Sequence, residues 1–198
     1  MSIRLLNALL SPILAVALLA TAPPAAADAG GIVRFASLPA AGPGFPEGLA
    51  ADAAGNIYVS TFDFAAPNVV YVFGASNGQL VATIPLAGHI PLGLAFNAGG
   101  DLFVADFGNG TVLRFAPPFG AASTPVATYA VCGGAGAGCG LNAITFDAAG
   151  NLYVSDSFGG VVFKVTLPAG VVTPQVAHEL LKPGSHGFPP FGANGPSF

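Results

Sequence analysis

The chain has 198 residues, 53% of them apolar and only 7% charged, with a formal net charge of −4. This composition excludes a disordered polyelectrolyte. Five Lys and Arg in total cannot build a face that neutralises many phosphates, which excludes nucleic acid as a partner. The 28 Gly and 18 Pro suit short strands joined by tight turns.

The first predicted element is not part of the fold. One cation, Arg4, precedes an apolar run from Leu5 to Ala20, and Ala25-Ala26-Ala27 supplies a small-residue cleavage site. Residues 1–27 therefore read as a secretory signal peptide. The alternative is a membrane anchor, but Asn7, Ser11 and Pro12 break a run shorter than the roughly 20 apolar residues that span a bilayer. The expected location is secreted or periplasmic, with no membrane association after cleavage.

From residue 30 onward the chain repeats itself. "LAADAAGNIYVST" (49–61), "LAFNAGGDLFVAD" (94–106) and "ITFDAAGNLYVSD" (144–156) align without gaps on Gly55, Gly100 and Gly150. Each phrase reads as a hairpin. A short strand ends at Asp52, Asn97 or Asp147, whose side chain bonds back to the turn, and the Gly supplies positive φ. A second, β-branched and aromatic strand follows. A third is predicted at 68–74, 111–117 and 161–167, and a fourth at 79–86, 124–131 and 173–180. Arg114 and Lys164 share one position of the third strand, which suggests a solvent-facing side. Four strands per repeat of this period are the pattern of propeller blades. The expected class is all-β, a six-bladed propeller type, with blades at about 45–88, 90–131 and 140–181 and a fourth starting at 192–198. "GIVRFASLPA" before the first blade reads as an outer strand of a ring's final blade. A closed ring needs about 4–8 blades. The sequence thus reads as part of a longer protein or as a truncated product, and an open ring could self-associate through its apolar faces.

Between the second and third blades, Cys132 and Cys139 flank six small residues. In an oxidising compartment a local disulfide is expected, the alternative being two free thiols. No His or further Cys lies close by, which argues against a zinc site there.

Innermost strands line a propeller's channel. At the start of each, the aligned residues are Glu47, Leu92, Asn142 and Asn194. One carboxylate and two amides at a channel mouth offer oxygen ligands to a divalent cation, or hydrogen bonds to a polar ligand. As turn or surface residues they would have no such role. His89 and His186 lie in loops leading into blades, where a solvated ring is the simpler reading; His178 is placed on the outer surface of a fourth strand. No G-x-S-x-G elbow, Walker loop or HExxH motif occurs.

The phrase "DAAGNLYVSD" resembles the propellers of the senescence-marker-protein, gluconolactonase and luciferin-regenerating-enzyme-like family, and also NHL-repeat propellers. The first resemblance implies six blades and a divalent metal, calcium or zinc, in the channel. By position it implies Glu47, Asn142 and Asn194 as metal ligands, with no ligand at Leu92. The family's fourth ligand, an Asp that also serves as base, belongs to a fifth blade that these residues do not contain. Two functions follow as expectations. One is an exported, metal-dependent lactone hydrolase acting on a small molecule at the channel mouth. The other is a non-enzymatic NHL-like propeller that binds a protein, peptide or glycan.

Overall fold

The structure is a computed structural model that describes residues 33–40, 42, 44–65, 67–132, 138–184 and 192–196. The signal-peptide segment, His186 and Phe198 lie outside the described residues. The fold is all-β. Twelve strands run β1 Phe45–Ala51, β2 Ile57–Phe62, β3 Asn68–Phe73, β4 Leu80–Leu86, β5 Pro91–Phe96, β6 Leu102–Asp106, β7 Thr111–Phe115, β8 Ala127–Ala130, β9 Leu141–Phe146, β10 Leu152–Asp156, β11 Val161–Thr166 and β12 Val171–Ala177. They form three antiparallel four-stranded sheets, β1–β4, β5–β8 and β9–β12, each paired in chain order. This is a partial β-propeller. Among the described residues no helix is long and apolar enough to cross a membrane.

The repeated turn builds as its residues dictate. Asp52 Oδ1 accepts the N–H groups of Ala54 and Asn56, both at 2.9 Å, and Asp147 Oδ1 accepts those of Ala149 and Asn151. Asn97 does the same for Asp101. Gly55, Gly100 and Gly150 sit at φ +83°, +83° and +80°, where any Cβ is strained. Alternation then sorts each sheet into two faces. Tyr58, Val70, Val72 and Ile84 of the first blade pack onto Leu94, Leu102, Val104 and Phe115 of the second. Phe103, Ala105, Val112 and Tyr129 pack likewise onto Leu141, Ile144, Leu152 and Val154 of the third. The core is thus two apolar seams between blades. The first strands stand side by side, β1 against β5 and β5 against β9.

Three expectations are corrected. Residues 33–39 form no strand, and Phe35 instead lays its backbone against the β3–β4 turn, where a Cβ on Gly78 would collide with the Phe35 carbonyl. Residues 192–196 are not a strand either. The Gly192 N–H bonds the Ser157 carbonyl at 2.9 Å and the Ala193 N–H bonds the Leu181 carbonyl at 2.7 Å, which docks this segment beside the third blade. His178 lies beyond β12, not on it. Its Nδ1 accepts from the Leu180 N–H and caps a short 3-10 turn, Glu179–Leu181.

Candidate functional site

Each first strand carries a β-bulge at one equivalent place. In β1 the register slips between Pro46 and Leu49, in β5 between Pro91 and Leu94, and in β9 between Leu141 and Ile144. The bulge sets two residues against one and re-aims their side chains. The residues so placed are Glu47 and Gly48, Leu92 and Gly93, and Asn142 and Ala143. The backbones there run close together. A Cβ on Gly48 would overlap the Leu92 carbonyl, and one on Gly93 would lie 2.8 Å from the Ala143 Cα. Glycine at these two bulges lets neighbouring blades bring their first strands into contact.

Glu47, Leu92, Asn142 and Asn194 all line one open cleft of about 220 Å3 at the mouth of these strands. Glu47 and Asn194 are exposed, whereas Leu92 is buried and forms an apolar wall. Asn142 is 3% exposed, and its Nδ2 has no hydrogen-bond partner. A buried amide without a partner is costly, and its presence points to a ligand. Half a turn about χ2 exchanges the carboxamide N and O, so the same head can present Oδ1. A carboxylate and two carboxamides form an oxygen donor set, which suits a hard cation such as calcium better than zinc. The residues present therefore fit a divalent cation.

The remaining candidates lie elsewhere. His89 lines a separate groove of about 370 Å3 with Asp63, Phe64, Asn68 and Ile90. Its Nδ1 stands 2.6 Å from Asp106 Oδ2, on a carboxylate that is fully buried. The Asp106 carboxylate also accepts the Ile90 N–H at 3.0 Å and Asn109 Nδ2 at 2.7 Å. The hydrogen bond to Asp106 raises the His89 pKa above its ordinary value, against an opposing effect of burial. Burial pushes the Asp106 pKa upward, but the bonds from His89, Ile90 and Asn109 outweigh it and hold the carboxyl below its ordinary range. Cys132 and Cys139 are joined in a disulfide with Cα atoms 6.0 Å apart. Asp156 lies near these sulfurs, but disulfide sulfur is not a thiolate and the three form no metal site. Sequence reasoning missed the bulges and the His89–Asp106 pair. An Asp directly after the apolar run "LFVA", at the end of the second strand, was the available signal for the latter.

Fold and site together define a partial β-propeller with a polar cleft at the mouth of its first strands. Residues 89–115, spanning β5 to β7, match the NHL repeat family. No curated protein matches the chain. Among solved structures, it is similar to a catalytically inactive virginiamycin B lyase from Staphylococcus aureus with quinupristin, at 16% identity and a TM-score of 0.59 over 79% of this chain and 50% of that one. A streptogramin B lyase gives 16% identity and a TM-score of 0.56 over 78% and 48%. A protein of unknown function from Bacteroides caccae gives 13% and 0.52 over 69% and 47%. The chain spans about half the length of these structures, and identities this low carry the fold alone.

Proposed function

We propose that the cleft is the cation-holding site of an exported, gluconolactonase-like lactone hydrolase, of which this chain supplies three blades. The observation that carries the reading is Asn142, an amide buried without a partner on the same cleft as Glu47 and Asn194. Glu47 supplies the negative charge. Asn142, held in the bulge of β9, supplies an oxygen once half a turn about χ2 puts Oδ1 in the place of the unpartnered Nδ2. Asn194 brings a third oxygen from the segment docked on the third blade. Leu92 contributes an apolar wall that keeps water off one side of the cleft. A divalent cation held by Glu47, Asn142 and Asn194 would supply polarisation of a lactone carbonyl and a lowered pKa for a nearby water. Within this chain the roles are binding and orientation. Among the described residues the cleft holds no second carboxylate to take a proton.

The test is calcium titration of the monodisperse mature chain by calorimetry, beside the Glu47→Ala variant. Saturable binding is expected, weakened at least about tenfold in the variant by loss of the only charged ligand. A folded chain that takes up no calcium sinks the reading. The NHL match at 89–115 favours a second one, a non-enzymatic propeller binding a protein, peptide or glycan on its loop face.

A further inference from the structure

We propose that Ser60 and Ser155 are positioning residues for the cleft, an inference that rests on the cation reading of Glu47 and Asn142. Each bulge sets two residues of a first strand against a single residue of the second strand. Those single residues are Ser60, Ala105 and Ser155, all 0% exposed. A bulge takes backbone groups out of the ladder, and a buried N–H must find another acceptor. In the first blade Ser60 Oγ accepts the Gly48 N–H at 2.7 Å and donates to the Leu92 carbonyl, also at 2.7 Å. One hydroxyl thus ties the bulge of β1 to that of β5. In the third blade Ser155 Oγ accepts the Ala143 N–H at 3.1 Å and turns its proton to the Ala143 carbonyl at 3.4 Å.

The peptide nitrogens held are those of the residues immediately after Glu47 and Asn142. Fixing that peptide plane fixes ψ of the preceding residue, and with it the direction of its side chain. The second blade supplies the contrast. Its bulge carries Leu92, which needs no polar aim, and the residue opposite is Ala105, which has no hydroxyl. A hydroxyl therefore stands behind the two bulges that present a polar side chain and not behind the one that presents an apolar side chain. Serine only as core filler would give no reason for that correlation.

The experiment compares Ser60→Ala, Ser155→Ala, Asn142→Ala and the Ser155→Ala/Asn142→Ala pair by calcium calorimetry. It follows the side-chain amide resonances of Asn142, Asn97 and Asn151 in the same proteins. Each serine variant is expected to bind calcium about tenfold more weakly while keeping a cooperative thermal transition. The double variant is expected to bind no more weakly than Asn142→Ala alone, because both changes remove one interaction. In Ser155→Ala the Asn142 resonance pair is expected to shift or broaden, with the turn amides of Asn97 and Asn151 unmoved. Parent-like calcium affinity in both serine variants, or full additivity in the double variant, overturns the proposal. If the parent takes up no calcium, the cation reading fails by itself. The resonances then still decide, since an unmoved Asn142 pair in Ser155→Ala overturns the positioning role.

Discussion

At the scale of single residues, the His89–Asp106 pair joins a partly exposed imidazole to a fully buried carboxylate at 2.6 Å. It pins the loop before β5 to the end of β6, with the Ile90 N–H and Asn109 bonded to the same carboxylate. Both pKa directions bear on stability. The raised His89 value stabilises fully below the ordinary imidazole pKa and is lost as pH rises through the folded one. The lowered Asp106 value stabilises above the ordinary carboxylate pKa and is lost as pH falls through the folded one. The window in which both contribute runs from roughly pH 4 to 6.5. His89→Gln is expected to lower Tm most within that window and less at pH 8. A Tm difference that does not change between pH 5 and 8 would remove the ionic component. Sequence position alone suggested a solvated loop imidazole, because the partner lies 17 residues away on another strand.

At the scale of the element, one turn is built three times with one change. The first and third copies place Asp before the turn and Asn after it, with Asn56 and Asn151 donating to Asp52 and Asp147 at 2.8 Å. The second copy exchanges them, so that Asn97 donates to Asp101. The reason lies in β7, which carries Arg114. Asp101 Oδ2 accepts from Arg114 at 2.6 Å from one terminal nitrogen and 2.9 Å from Nε, two bonds on one oxygen, and a carboxylate at that end of the turn adds the charge that complements the guanidinium. Asn97→Ala is expected to cost about 1 kcal/mol, since it removes the acceptor for the Asp101 N–H. Asp101→Asn is expected to cost no more than about 1 kcal/mol, as the pair is partly open to solvent. Urea midpoints at constant slope would measure both. These turns were legible in the sequence because every contact within them spans six residues or fewer.

At the scale of the whole molecule, equivalence between blades shows which surfaces another blade covers. Leu94 and Ile144 are each 7% exposed because the preceding blade packs on them, whereas Leu49 at the same repeat position is 69% exposed. Beside it an apolar hollow of about 280 Å3 is lined by Phe35, Leu38, Ile57, Val59 and Phe73. Leu94→Ala is expected to cost about 2–5 kcal/mol through lost burial and a cavity. Leu49→Ala is expected to cost under about 1 kcal/mol in the monomer. Denaturation of the two variants side by side checks the contrast, and equal losses would mean that the exposed face is covered in solution.

Local chemistry determined much of this protein. β-branched and aromatic strand segments, the Asp/Asn turns and the positive-φ glycines depend on near neighbours, so three copies of one phrase sufficed to define strands, hairpins and an all-β propeller class. Repeat alignment also nominated Glu47, Leu92, Asn142 and Asn194 as equivalent positions. Only the tertiary structure decided that these four share one cleft, because β1, β5 and β9 are brought together by inter-blade packing across tens of residues. The unpartnered state of Asn142 and the bond from Ser60 to Leu92, 32 residues distant, belong to the same order of information. Burial and bulge geometry arise from the sum of all strand contacts, and no short stretch of sequence contains them.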